Sequence, residues 1–163
     1  MSQPSPAIRR YTDRDRAEVL RLNRAALDAV GAAELPPEIR ACLDADLAAI
    51  EATYLSGGGE FLVACEPSNP DRLIGMGALR RLSPVTGEIK RMRVDAEFQR
   101  RGVGAALLRR LEAVARQLGY TELILDAANE LIAAQAFYRA HGYTPTGYRE
   151  VGGLACIDFR KPL

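Results

Sequence analysis

Around residues 88–105 the chain changes its hydrophobic period once, and that change limits the folds open to it. Residues 88–94, Glu-Ile-Lys-Arg-Met-Arg-Val, read as a strand that reaches back to Gly87. Asp95-Ala96-Glu97-Phe98 then leads to Gln99-Arg100-Arg101-Gly102-Val103-Gly104-Ala105. Beyond the glycines the period is helical. Over residues 102–118, Val103, Leu107, Leu111, Val114 and Leu118 share one face, with Arg109, Glu112 and Arg116 turned outward. Gly119 supplies the stop, and Leu123-Ile124-Leu125 forms a short buried strand. A strand, a glycine-opened helix and a strand place the chain in the α/β class. Such a helix start offers unpaired backbone N–H groups and a positive dipole end, here beside two arginines, and that combination binds phosphate.

The remaining elements flank this unit. Ala7–Tyr11 reads as a strand, and Thr12 or Asp13 caps a helix through Val19, Leu20, Leu22, Leu27 and Val30. Pro36-Pro37 fits the first turn of a second helix running to about Tyr54, with Ile39, Leu43, Leu47 and Ile50 on one side, ended by Gly57-Gly58-Gly59. Phe61–Cys65 and Leu73–Leu79 predict a hairpin around a long turn at 67–71. Asn129 can cap a helix whose buried stripe is Ala133, Ala136, Phe137 and Ala140, and Gly142 ends it. Two strands, near Thr144–Tyr148 and Ala155–Arg160, finish the chain.

At 163 residues the chain is expected to form one domain, residues 1–163, with a core of ordinary size. A formal net charge of +1 supplies no global field for nucleic acid or membrane, so neither is an expected partner. No apolar run reaches transmembrane length, and the start, Met1-Ser2-Gln3-Pro4-Ser5-Pro6, has no apolar core of a signal peptide. Cys42, Cys65 and Cys156 fit neither a disulfide framework nor a zinc spacing. They predict buried free thiols and a reducing, cytoplasmic setting.

A Walker A loop is excluded, because no Gly-x-x-x-x-Gly-Lys-Ser/Thr occurs. A dinucleotide fingerprint needs a third small residue where Leu107 stands, and glycines tight behind the strand, whereas residues 95–101 intervene. Asp126 nevertheless ends the next strand where a ribose-binding acid would sit. The six residues Gln99-Arg100-Arg101-Gly102-Val103-Gly104 resemble the Gln/Arg-x-x-Gly-x-Gly/Ala signature of the GNAT superfamily of acyl-CoA-dependent N-acyltransferases. Ala136-Phe137-Tyr138-Arg139-Ala140-His141-Gly142-Tyr143 is similar to that family's later motif, ending in Tyr-x-x-x-Gly-Phe/Tyr. The element order agrees over nearly the whole chain.

The resemblance implies a mixed, mostly antiparallel sheet of six or seven strands flanked by about four helices. It implies acetyl-CoA as cosubstrate, a primary amine as acceptor and no metal. By the same resemblance the coenzyme A pyrophosphate sits on the N–H groups of about Arg101 to Ala105, through Gly102, Val103 and Gly104, aided by Gln99, Arg100 and Arg101. Strand 88–94 would part from strand 122–127 to admit the thioester arm. Val94 would lend backbone groups there, with Met92 beside it, and Asn129 would either touch coenzyme A or only cap its helix.

Tyr138 is the candidate general acid, since a phenol stays protonated at neutral pH and can donate to a departing thiolate. It sits one residue off the expected stripe, as a residue at the margin of a cleft would. Glu88 precedes Gln99 by eleven positions (99 − 88) and is the candidate base, or else an ion-pair partner of Lys90 or a nearby arginine. His141 reads as a helix C-terminal residue. Arg80, Arg81, Lys90, Arg91 and Arg93 are dense for central strands. They either pair internally with Glu60, Glu88, Asp95 or Asp126, or meet a carboxylate on the acceptor. Acceptor choice is expected to lie there and in residues 28–37. A protein or peptide amine as acceptor, a non-catalytic acyl-CoA-binding module, and a homodimer all stay open at this point.

Overall fold

The computed structural model describes residues 6–31, 34–151 and 153–163. Seven strands form one sheet: β1 (Ala7–Arg10), β2 (Glu60–Glu66), β3 (Asn69–Arg81), β4 (Thr86–Val94), β5 (Glu122–Ala128), β6 (Thr144–Val151) and β7 (Leu154–Pro162). Their order is β1-β2-β3-β4-β5-β7-β6. All neighbours run antiparallel except β4 and β5. The helices are α1 (Arg16–Ala29), α2 (Pro37–Leu43), α3 (Ala45–Ala48), α4 (Val103–Gln117) and α5 (Ile132–Ala140). The mixed α/β class and the mostly antiparallel sheet are as the sequence predicts.

Each face of the sheet has its own core. On one, Leu107, Leu108, Leu111 and Ala115 of α4 pack on Leu62, Leu79, Ile89, Leu123 and Leu125. On the other, Val19 and Leu22 of α1 join Leu47, Ile50 and Tyr54 over Phe61, Val63, Met76 and Ala78. Each fully buried leucine contributes about 2 kcal/mol. Helix α4 sits close because β3 carries glycines beneath it. A Cβ at Gly77 would lie 2.6 Å from Met92 Sδ and 3.0 Å from Leu111 Cδ1.

Several local expectations are corrected. The second helix is not continuous to Tyr54; it breaks into α2, α3 and a five-residue π turn, Glu51–Leu55. Its expected stripe survives only in Leu47 and Ile50, while Ile39 is exposed. The hairpin loop shrinks to Pro67-Ser68 because β3 begins at Asn69, and β5 runs to Ala128. On α4, Leu118 is exposed whereas Glu112 is buried. Glu112 accepts from Lys161 Nζ at 2.8 Å and Tyr143 at 3.1 Å, and a satisfied carboxylate tolerates burial. Cys65 and Cys156 are buried free thiols, but Cys42 is exposed. Of the segment 28–37, Ala32 and Ala33 lie outside the described residues, as do Met1–Ser5 of the N-terminus.

Candidate active site

β4 and β5 pair over three rungs only, Thr86↔Glu122, Gly87↔Leu123 and Glu88↔Ile124. Beyond them each follows a different neighbour: Arg93 and Val94 pair with Met76 and Gly75, while Asp126, Ala127 and Ala128 pair with β7. The divergence has a local cause. Arg91 adopts φ 55°, and the β3–β4 register slips between Met76 and Ala78. Such a bulge bends its strand and turns it away from one neighbour. The result is a wedge-shaped opening in the middle of the sheet, as the resemblance implies.

At the α4 end of this wedge the backbone is left rich in donors. Arg100 (φ 57°) and Gly102 (φ 82°) are both left-handed, and Gly102 is the N-cap. The first helical bond is Ala106 N to Gly102 O, 2.9 Å. Among the described residues, no hydrogen bond of ordinary geometry engages the N–H groups of residues 99–105. Alternating backbone handedness with free N–H groups makes an anion-binding concavity. No acidic residue lies in the first turn to compete. Gln99 bends back instead of facing the turn, its amide donating to Val94 O at 3.2 Å. Arg101 lies over the Phe98 ring at 5.4 Å. A cavity of about 400 Å³ beside the turn is lined by Ser68, Phe98, Arg101, Gly102, Val103 and Arg109, among others.

Helix α5 is rotated from its expected setting. Its buried residues are Gln135 and Tyr138, while Ala133, Ala136 and Ala140 are exposed and Phe137 is half-buried. Three alanines gain little from burial, whereas Tyr138 packs edge-on against Tyr143 at 5.8 Å and beside Phe159 at 6.2 Å. Tyr138 is therefore part of the core rather than its margin. Five tyrosines are buried: Tyr11, Tyr54, Tyr120, Tyr138 and Tyr143. Four donate their hydroxyls, to Asp13, Asp46, Gly58 O and Glu112 respectively. Of these five, Tyr138 alone has no hydroxyl partner among the described residues. Burial pushes its pKa up to about 12, and Arg93 nearby pulls the other way.

The α4 turn, the parted strands and the free tyrosine hydroxyl thus form one constellation. Residues 25–143 match the model of the acetyltransferase (GNAT) family. The chain belongs to that family. N-acetyltransferase family 8 member 2 of Rattus norvegicus is 31% identical over 133 residues, covering 75% of this chain and 58% of that protein. The chain thus spans little more than half of that relative. An acetyltransferase from Streptococcus agalactiae has the same fold, with a TM-score of 0.84 at 19% identity over 99% of this chain and 100% of that one. A GNAT family acetyltransferase from Elizabethkingia anophelis with acetyl-CoA bound aligns at TM-score 0.68 and 20% identity, over 99% and 100%.

Within the GNAT fold, Glu88 occupies the last paired rung of β4, 4% exposed. Its Oε2 accepts from Arg80 Nε at 2.9 Å and Nη2 at 2.5 Å, while Lys90 Nζ stands 3.9 Å from Oε1. Asn129 does not cap α5; Leu131 is the N-cap residue. Asn129 is exposed, its N–H donates to Ala155 O at 2.8 Å, and its carbonyl accepts from Gln135 at 2.8 Å. His141 Nδ1 lies 2.7 Å from Phe137 O at the end of α5, in the structural position expected. Met92 and Val94 both pack against the α4 core and are half-buried.

Sequence reasoning missed where the β4 cations find their partners. Arg91 reaches across to the broken helical segment, pairing with Asp46 (Nε–Oδ2 2.9 Å), Asp44 (3.2 Å) and Asn23 (3.2 Å). Neither aspartate is near it in sequence, and only the bulge aims Arg91 at them. Glu60 pairs with Arg10, Asp95 with Arg21 and Arg72, and Asp126 with Arg149. Internal pairing is therefore right for Arg80 and for Lys90, with Glu88.

Proposed function

We propose that this chain is an N-acetyltransferase that moves an acetyl group from acetyl-CoA to a small-molecule primary amine by direct transfer. The observation carrying this reading is the wedge between β4 and β5. A donor-rich turn stands at one end of it, and the hydroxyl of the buried residue Tyr138, with no partner among the described residues, lies beside it. The N–H groups of Arg101 to Ala105 hold the diphosphate of coenzyme A, with Arg100 and Arg101 adding charge. Parted strands expose backbone groups near Met92 and Val94 to the pantetheine arm, and Asn129 sits at the far rim. Because Gln99 is turned toward Val94 O, its role is to pin the turn to the strand.

The amine nitrogen forms a bond to the acyl carbon as the carbon–sulfur bond breaks. Tyr138 gives its hydroxyl proton to the departing thiolate, and its raised pKa keeps that proton in place across the neutral range. The proton lost by the amine passes through water to Glu88 Oε1, the oxygen that Arg80 leaves free. Thiol release from acetyl-CoA, scanned over primary amines, tests the whole reading. Acceptor-dependent release is expected, together with saturable coenzyme A binding by calorimetry. Binding without release for any amine would mark a non-catalytic module, and no binding of any CoA thioester would end the assignment.

A further inference from the structure

Arg93 is anomalous among the cations of the sheet. Its Nε is buried and has no hydrogen-bond partner. Its one recorded bond runs from Nη1 to the carbonyl of its own neighbour Met92, at 3.1 Å. All 21 Asp and Glu residues of the chain lie among the described residues. None comes within ion-pairing distance of Arg93. The carboxylates on its side of the sheet are committed elsewhere, Asp44 and Asp46 to Arg91 and Glu88 to Arg80. A half-buried guanidinium with its Nε out of water and no carboxylate beside it is under-satisfied, and proteins place such a group where a ligand supplies the counter-charge.

The position of Arg93 indicates which ligand. It stands on the parted half of β4, opposite Met76. Residues directly opposite one another project from the same face, and Met76 belongs to the α1 core. Arg93 therefore leaves the sheet on the α1 face, while the donor-rich turn opens α4 on the other. It remains close enough to Tyr138 for the two groups to influence each other's charge. A group bound by Arg93 would lie beside the reacting centre but on the side away from the nucleotide.

We propose that Arg93 anchors a carboxylate carried by the acceptor, so that the substrate is an amine of the amino-acid type, with amino and carboxylate groups close together. The guanidinium offers a planar fork of donors that matches a carboxylate two-to-two. Holding the carboxylate on the α1 face leaves the amino group directed at the wedge. This assignment rests on the acetyltransferase reading for its chemistry but not for its binding measurement.

The test compares the common α-amino acids with their α-carboxamides, on wild type, Arg93→Met and Arg93→Lys. Calorimetry of each compound with the protein, with and without coenzyme A, is read beside thiol release. Wild type should prefer acid over amide by at least tenfold, in affinity and in kcat/KM. Arg93→Met should bring that ratio close to one, and Arg93→Lys should leave it in between, with coenzyme A affinity kept by both. A second arm exchanges acetyl-CoA for succinyl-CoA, which places the carboxylate on the acyl group. Were Arg93→Met to abolish use of succinyl-CoA while sparing the acid–amide ratio, the anion would belong to the donor and the proposal would fail. It would fail equally if wild type did not distinguish acid from amide, or if Arg93→Met slowed both alike. If amino acids bind through Arg93 but no thiol is released, the carboxylate site stands and the acetyltransferase reading falls.

Discussion

Arg91 and Arg93 stand two residues apart on β4, and the fold treats them in opposite ways. Arg91 is turned by the bulge into a closed set of partners, Asp44, Asp46, Asn23 and the Leu43 carbonyl, with 9% of its side chain exposed. Arg93 is half-buried, with its Nε out of water, and meets no carboxylate. The tyrosines repeat the contrast on the opposite face. Tyr143 gives its hydroxyl to Glu112, whereas Tyr138, packed against it, gives its hydroxyl to no described residue. Around Arg91 and Tyr143 the polar groups are satisfied. Where β4 and β5 part, Arg93 Nε and the Tyr138 hydroxyl are left without partners, and that contrast suggests where scaffold gives way to site.

The largest expected effect falls on the scaffold half. Arg91→Met leaves Asp46 buried without its cation and should cost about 3 kcal/mol in urea unfolding. Arg93→Met removes no ion pair, and its stability should change by less than about 1 kcal/mol. Acid sharpens the distinction. Burial disfavours the charge on Asp46, but hydrogen bonds from Arg91 and Tyr54 outweigh it and hold the pKa below its ordinary value. A lowered pKa stabilises the native state above the unfolded value of about 4, and that stability is lost as pH falls through the folded value. Without Arg91 chiefly the Tyr54 hydroxyl still opposes burial, so the pKa of Asp46 rises. The Arg91→Met deficit should therefore be full at pH 7 and shrink below about pH 4. A deficit that stays constant over that range would show that Arg91 acts through packing.

Next in size is Tyr138→Phe, which should lower kcat on the order of 10²-fold with coenzyme A affinity unchanged. The matched change, Tyr143→Phe, should cost about 1 kcal/mol of stability and leave kcat alone. Tyr138, pushed up to about 12, keeps the proton it donates across the neutral range. If Tyr138→Phe left kcat unchanged, the acid assignment would be wrong.

How much of this was legible in the sequence depended on the range of the physics involved. The strand–glycine–helix unit at 87–118 rests on local periodicity and on Gly102, which adopts a left-handed φ of 82° at the N-cap. Those features read directly. The rotation of α5 was hidden because Ala133, Ala136 and Ala140 look as apolar as a core stripe, and only contact with Tyr143 and Phe159 turned Tyr138 inward. Glu112 looks solvated in the sequence because Lys161, 49 positions away, gives no local sign of pairing with it. The second helix looked continuous because the demand of Arg91 for Asp44 and Asp46 is a tertiary one. Both candidate catalytic residues were named from motif position, but that Tyr138 is free and Glu88 is paired could be seen only in three dimensions.

Glu88 marks the border between the two halves of β4. Glu88→Gln keeps its shape and weakens the pair with Arg80. If Oε1 takes the amine's proton through water, turnover should fall about tenfold with coenzyme A affinity kept. Unchanged turnover would assign Glu88 to the scaffold with Arg80.

The smallest effects separate the two glycines of the donor-rich turn that opens α4. A Cβ at Gly102 would meet nothing within 4 Å, so Gly102→Ala is opposed only by its left-handed backbone, at about 1 kcal/mol. Gly104 has no such φ, and a Cβ there would make ordinary contacts, 3.5 Å from Val94 and 3.6 Å from Phe137. Inside a helix that exchange is favourable by up to about 1 kcal/mol. Gly102→Ala should therefore destabilise the protein while Gly104→Ala does not. Coenzyme A affinity should follow the other logic. The Gly104 methyl fills space between β4 and α5 at the wedge, so Gly104→Ala should weaken binding several-fold in a protein that is no less stable. Equal loss of affinity in both variants, tracking stability, would mean that the turn acts as scaffold rather than as ligand for the diphosphate.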